Sequence, residues 1–360
     1  MSDRRPRGVR PTALEMRYLL PLIALLILAW ALRNISIPDL LVTLRSLSLW
    51  KLFFLFLINW LIISLFALRL WIIFQARGTR LSFYRLLRYW LAGFSFSYFT
   101  PGPQFGGGFV QFYFISTREE IPLPESISGV ASSQIIERIG NTIFLLFGML
   151  AITKLGWLDT RTERIILAVS IAVITLPLVY FIALYKHKLP LKALAHALSR
   201  KSNPESRGHK LLLAILDGEG QLALDTRERP ITLVFALLIT LASWAAVALQ
   251  AWLALSYFGH TLSIIEIILL LTIVQIAFLF PAPAGLGFME AGTVLALQLI
   301  GYSRETGLAL AALVRLRDVF FGGLGLLFGG HLAWSMLRDR STDIISDQFE
   351  SSSSKTDWSR

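Results

Sequence analysis

The sequence predicts an all-α membrane protein with about six spanning helices plus two re-entrant helical hairpins related by an inverted-topology repeat. Three observations predict it. Apolar runs recur along 360 residues that are 55 % hydrophobic and only 16 % charged, which is a membrane composition. A proline- and glycine-rich break, TPGPQFGGGF (100–109), interrupts one apolar run, and a second break of the same grammar, FPAPAGLGFME (280–290), follows about 180 residues later. The basic residues concentrate in loops beside apolar runs, where they report the orientation of the helices.

Residues 1–17 carry Arg4, Arg5, Arg7, Arg10 and Arg17 and read as a basic cytoplasmic N-terminus. Residues 18–32 form the first spanning helix; a signal peptide would end in a small-x-small cleavage site, and Arg33-Asn34 stands there instead. Residues 52–74 cross next, since roughly 20 helical residues cover a hydrocarbon core about 30 Å thick. Arg77, Arg80, Arg85 and Arg88 then place the chain back in the cytoplasm. The loop 186–230, with nine Lys/Arg against five Asp/Glu, is cytoplasmic too, so an even number of crossings separates residues 88 and 186.

Two full spans, 127–153 and 165–184, fill that interval, and everything from 89 to 120 must begin and end on one side. The limbs 89–99 and 109–116 would be about 16 and 12 Å long as helices, too short to cross alone. They read as a re-entrant hairpin in which Pro101, Gly102 and Pro103 end the first limb and Gly106, Gly107 and Gly108 let the backbone reverse. Such backbone is tolerated at membrane depth only where it is buried in protein or lines a wet cavity.

Residues 231–258 leave the cytoplasm again. A second hairpin, 264–300, broken at Pro281, Pro283, Gly285 and Gly287, enters from outside, and 305–330 returns to a serine-rich, disordered cytoplasmic tail, 336–360. The membrane domain is 18–335, with repeat 1 at about 52–185, the loop 186–230, and repeat 2 at about 231–335. Hairpins dipping in from opposite faces make an inverted-topology repeat, which places a substrate site near the midplane. Each break is followed by a charged helix, with Arg138 and Arg315 standing 37 and 34 residues beyond Pro101 and Pro281.

Glu137 and Arg138 lie near the middle of one span, Arg315, Arg317 and Asp318 near the middle of another, and Glu290 opens the second limb of hairpin two. Each costs a few kcal/mol at the centre of a lipid-facing helix, so all face the bundle interior or water. In the functional reading, Arg138 and Arg315 meet the phosphate of a lipid headgroup, assisted by backbone N–H groups near Gly108 and Gly287. Glu137, Glu290 and Asp318 balance those cations or contact a headgroup amine. In the structural reading the same groups form ion pairs, Arg138 with Asp318 between helices or Arg315 with Asp318 at i, i+3. Glu137 and Arg138 are adjacent, point about 100° apart and make poor partners. Arg69, near a span end, snorkels. Gly325 and Gly329 have the spacing of close helix packing within the bundle. In 188–200, Lys188, Lys192, His196 and Arg200 oppose Leu191, Leu194, Ala195 and Leu198, the pattern of an interfacial helix on anionic lipid or of a solvated connector.

Several chemistries find no residues to perform them. There is no cysteine, hence no disulfide, thiolate nucleophile or cysteine metal site. The five histidines are scattered, and without HExxH, GxxxxGK[ST] or Gly-x-Ser-x-Gly the expectation is no metal, cofactor or ATP site. The net charge of +11 belongs to membrane-flanking loops rather than to nucleic-acid binding. Two rivals to lipid transport stand beside it. One is an intramembrane transferase with a lipid acceptor and Glu137, Glu290 or Asp318 as base; the other is a non-transporting partner that organises a lipid-synthesis enzyme through 186–230.

The sequence resembles the lysylphosphatidylglycerol synthase transmembrane-region family of flippase-like proteins. The resemblance spans about 15–335 and rests on Arg69-Leu-Trp71, TPGPQFGGGF, Glu137-Arg138, PAPAGLGFMEAG (281–292) and Arg315-Leu-Arg317-Asp318. It implies a transporter in the cell membrane, with both termini cytoplasmic and a phospholipid or isoprenoid-linked amphiphile as substrate, and not an enzyme. Members that synthesise lipid carry a soluble aminoacyltransferase domain after the membrane region, where this sequence has SSSSKTDWSR. The first break departs from the family pattern, which has an acidic residue and an arginine near 108–112 where Gly108, Val110 and Gln111 stand here.

This reading predicts that single cysteines replacing Gln104 and Ala284, in a chain with none of its own, react with water-soluble maleimides. Positions sealed from both aqueous faces would remove the expected cavity.

Overall fold

A backbone entering hydrocarbon must satisfy its own N–H and C=O groups, which leaves helices and closed barrels as the available forms. Every regular element among the described residues is a helix. The computed structural model describes residues 47–99, 106–154, 160–186, 188–193, 207–278 and 287–338. The expected first helix 18–32, the N-terminal segment, the break residues Pro101, Gly102, Pro103, Pro281, Pro283 and Gly285, and the tail beyond 338 lie outside them.

The helices are α1 (Leu49–Ala76), α2 (Phe83–Phe99), α3 (Gly106–Glu119), α4 (Leu123–Lys154), α5 (Thr160–Tyr185), α6 (Arg207–Glu228), α7 (Pro230–Tyr257), α8 (Ile264–Phe278), α9 (Phe288–Leu299) and α10 (Arg304–Arg338). Among the described residues three are long and apolar enough to cross a membrane: α1, Leu123–Ile152 of α4, and α7. The last starts on Pro230, where proline's missing N–H costs nothing because the first turn has no partner for it. The expected spans 52–74, 127–153, 165–184, 231–258 and 305–330 correspond to α1, α4, α5, α7 and α10.

A series of lengths occurs twice. Helices α1 to α4 have 28, 17, 14 and 32 residues, and α7 to α10 have 28, 15, 12 and 35. In the first series α2 and α3 run antiparallel. Gly107 N–H donates to Ser97 Oγ at 2.7 Å, and farther out Tyr89 O–H donates to Glu119 Oε1 at 2.7 Å while its ring lies 5.9 Å from that of Phe114. In the second series Gly292 of α9 lies against Ala277 of α8.

The two series are laced together reciprocally. Helices α1 and α7 pack along each other, the first short helix α2 packs on α10, and its counterpart α8 packs on α4. On the first of these crossings Ser95 Oγ of α2 donates to the Gly322 carbonyl of α10 at 2.7 Å. One turn farther on, a Cβ at Gly325 would overlap Ser95 Oγ and the Leu91 carbonyl oxygen, and a Cβ at Gly329 would press on Ala92 at 3.3 Å. The Gly325/Gly329 spacing is therefore packing within the bundle. On the other crossing, Met149 and Ile152 of α4 bury against Leu269 of α8, and Gly148 makes room for Thr272.

Helix α6 lies where the sequence suggested only a hydrophilic loop. Leu222 and Ala223 pack with Leu184 of α5, and two buried acids fasten the segment. Glu219 accepts the backbone N–H groups of Leu191 (2.8 Å) and Lys192 (2.9 Å) and the Tyr180 hydroxyl (3.2 Å), so a carboxylate caps the helical turn 190–193 at its electropositive end. The remainder of the expected amphipathic stretch, 194–200, lies outside the described residues. Asp225 accepts from Arg77 and Arg229, and Arg77, just past α1, also donates to the Glu125 carbonyl and Ser128 Oγ, both at 2.7 Å. Burial lowers the pKa of the Arg77 guanidinium from its ordinary value, and Asp225 opposes that.

Gly325→Ala is expected to destabilise the bundle by about 1–3 kcal/mol through overpacking. Gly323→Ala, where an added Cβ meets nothing within 4 Å, does not lower the melting midpoint in detergent and raises it to the extent that alanine is the better helix former. Equal midpoints for the two variants would contradict the close crossing of α2 and α10.

Candidate functional site

A cavity of about 380 Å³ lies between the two series of helices, inside the range of roughly 300–1,000 Å³ common to small-molecule sites. Both series contribute. Helices α1 and α7 supply Asn59, Phe66, Ser243 and Trp244; α2 and α3 supply Trp90, Ser97 and Gln111; α4 supplies Gln134, Glu137, Arg138 and Asn141; and α8 to α10 supply Gln275, Met289, Arg317 and Asp318.

One wall is aromatic. Phe66 stacks on Trp90 with centroids 5.2 Å apart, and Trp90 on Phe94 at 5.6 Å. Across from them Trp244 stacks on Phe144 at 4.0 Å and donates its indole N–H to Asn141 Oδ1 at 3.0 Å. Buried indoles need such a partner, and here it also fixes an amide of the lining.

The three glycines at the first break do a different job from the one expected. Gly106 opens α3, and Gly107 and Gly108 lie inside the helix, so they do not reverse the chain. Gly107 and Gly108 are bare because neighbours come too close for a side chain. A Cβ at Gly107 would meet Ser97 Oγ at 2.6 Å, and one at Gly108 would overlap the amide nitrogen of Gln134. Gly287 sits at φ +81° before α9, in the left-handed region that glycine enters without strain. Its N–H donates to Glu290 Oε2 at 2.9 Å.

The charged residues pair in ways the sequence did not indicate. Arg69 does not snorkel. It is 1 % exposed and donates to Ser133 Oγ at 3.0 Å, to Thr240 Oγ1 at 3.2 Å and to Glu137, with its guanidinium 5.5 Å from the Phe66 ring. Three helices, α1, α4 and α7, thus meet at one side chain. Arg315, also 1 % exposed, donates its Nε to Glu290 Oε1 at 2.9 Å, a second N–H to the same oxygen, and a third to the Tyr98 hydroxyl. This ties α10 to α9 and α2.

Asp318 pairs with its neighbour Arg317 at 2.7 Å, and Arg317 reaches Gln250 Oε1 at 3.2 Å. A long guanidinium stem spans the angle between adjacent helix positions that was expected to keep neighbours apart. Of the six charged residues expected at the site, Glu137, Arg138, Arg317 and Asp318 line the cavity. Arg315 and Glu290 form their pair outside the lining, next to Tyr98, which is itself a lining residue. Sequence reasoning missed Arg69, Gln111, Gln134, Asn141 and the aromatic wall, because each gains its role from a helix distant in sequence.

Removing one partner of a buried ion pair leaves an unanswered charge and costs about 3–5 kcal/mol, whereas replacing both partners by apolar groups is often neutral. Arg69→Met is therefore expected to lower stability by about that amount, and Arg69→Met/Glu137→Met to recover most of the loss. Denaturation midpoints of the two variants check it; additive losses would show that the pair is not the anchor.

Comparison with known protein families matches residues 19–325 to the family described as the lysylphosphatidylglycerol synthase TM region. No curated protein and no solved structure matches the chain.

Proposed function

Because the chain belongs to the lysylphosphatidylglycerol synthase TM region family of membrane proteins, we propose that it translocates a membrane lipid between leaflets. The observation that carries this reading is the cavity of about 380 Å³, mostly apolar and aromatic in its lining, into which Glu137, Arg138, Arg317, Asp318 and several amides bring polar groups. A polar headgroup needs such a lining to leave water, while acyl or isoprenoid tails need only the surrounding hydrocarbon. Headgroup in the cavity and tails in the lipid is the arrangement we propose, for a phospholipid or an isoprenoid-linked amphiphile, with no covalent step catalysed.

We further propose that α2/α3 and α8/α9 are re-entrant hairpins of an inverted-topology repeat. The expected helix 18–32 completes six spans, both termini are cytoplasmic, and the membrane is that of the cell. The duplicated series of helix lengths supports this, as does the reciprocal packing of α2 on α10 and α8 on α4. In such repeats, rocking one half against the other opens a midplane site to each side in turn. The sequence carries no nucleotide-binding motif, so movement is downhill or coupled to ions or membrane potential.

The test is headgroup accessibility in reconstituted vesicles. Labelled lipids placed in the inner leaflet should become quenchable from outside faster than in vesicles carrying an unrelated helical membrane protein. No stimulation across anionic, aminoacylated and polyprenyl-linked lipids would overturn the proposal. Labelled product formed from activated donors would favour the transferase instead.

A further inference from the structure

Two asparagines of the cavity lining have one end of their amide committed, and the committed ends are opposite. Asn59 of α1 is buried and donates an amide N–H to the Leu55 carbonyl at 2.7 Å, which leaves its Oδ1 to accept. Asn141 of α4 accepts the Trp244 indole N–H on its own Oδ1 at 3.0 Å, which leaves its NH2 group to donate. Gln111, Gln134 and Gln275 join them in the lining, and each of these amides brings both a donor and an acceptor. Two are seated against bare backbone: a Cβ at Gly93 would meet Gln111 at 2.9 Å, and one at Gly108 would overlap the Gln134 amide.

The rings of the lining supply flat apolar surfaces beside these amides. Phe66 and Phe94 lie nearly parallel to Trp90, at 17° and 8° to its plane, and all three line the cavity. Phe144 stacks on Trp244 without lining the cavity itself, so it backs the indole and leaves the opposite face for a ligand. The carboxylates of the lining are already answered, Glu137 by Arg69 and Asp318 by Arg317.

Resting on the translocation reading, we infer that the headgroup this cavity takes is a sugar ring, so that the substrate is a glycosylated lipid. A hydroxyl both donates and accepts, and a ring of hydroxyls uses the Asn59 oxygen and the Asn141 NH2 together. A phosphodiester only accepts and has no proton to give Asn59. An ammonium only donates and has no use for the Asn141 NH2, and the carboxylates it would seek are held by arginines. A sugar also has C–H faces, which lie against the negative faces of aromatic rings. Rings for the C–H face and amides for the hydroxyls are the two kinds of surface that the lining sets side by side. Asn59 and Gln134 are specificity-determining residues here, since they contact the hydroxyls that a sugarless headgroup lacks.

The experiment uses the full chain in vesicles with two pairs of labelled lipids: glucosyl diacylglycerol with phosphatidylcholine, and polyprenyl phosphoglucose with polyprenyl phosphate. In at least one pair the sugar-bearing lipid is expected to exchange about tenfold faster, as a site built to hydrogen-bond hydroxyls rejects a ligand without them; the pair that shows it names the anchor. Asn59→Leu and Gln134→Met keep the side-chain shape and remove the amide. Each is expected to slow the preferred glycosylated lipid about fivefold, with the rate of its sugarless partner unchanged and the melting midpoint not lowered. No preference for sugar in either pair would overturn the inference, as would wild-type rates in both variants or equal losses for both members of a pair. If the wild-type chain moves none of the four lipids, the translocation reading fails, and retention in native mass spectrometry decides the inference separately. Preferential retention of a glycosylated lipid that Asn59→Leu reduces supports the sugar site, and equal retention within both pairs refutes it.

Discussion

The arrangement of the helices depends on how a guanidinium is satisfied where no water reaches it. Arg69 sits at the meeting of α1, α4 and α7 and divides its fork between two neighbouring helices: Ser133 and Glu137 on α4, Thr240 on α7. Taking such a group out of water costs several kcal/mol unless its partners are already in place. The three helices can therefore approach closely in only one relative position. Glu137 is held by that contact and still reaches the cavity, so the same constraint that positions the helices also sets the charge of the lining. Arg315 plays the matching part for α9, α10 and α2, with the Tyr98 hydroxyl taking the place of the Ser133 and Thr240 hydroxyls.

The spanning helices were legible because hydrocarbon imposes a length and a composition that can be read off any long apolar run. The two short helical pairs were legible for the converse reason, since prolines and glycines inside an apolar run leave limbs too short to cross. The expected limbs undershot α2, which begins at Phe83, because Arg85 and Arg88 looked like loop. Arg85 in fact pairs with Glu119 across the hairpin at 2.6 Å, and Arg88 lies against the rings of Tyr84 and Phe328.

Pairing was the part that could not be read. Residue type shows that a charge must be answered, but its partner is chosen by which helix passes nearby, and Arg69 with Glu137 or Glu219 with Leu191 are fixed only by tertiary packing. The glycines of α3 show a similar limit: bare Cα atoms serve a reversal and a close crossing equally well. Helix α6 was hidden because its buried face mixes Leu222 and Ala223 with Glu219 and Asp225, which on composition alone reads as solvated.

The reciprocal lacing of α2 with α10 and of α8 with α4 means that neither series of helices packs as a separate half. At Gly325 the contact between α2 and α10 is so close that it leaves no room for a methyl group. Each short pair thus packs on the long last helix of the other series as well as on that of its own. Any parting of one series from the other would have to open those crossings as well as the long contact of α1 with α7.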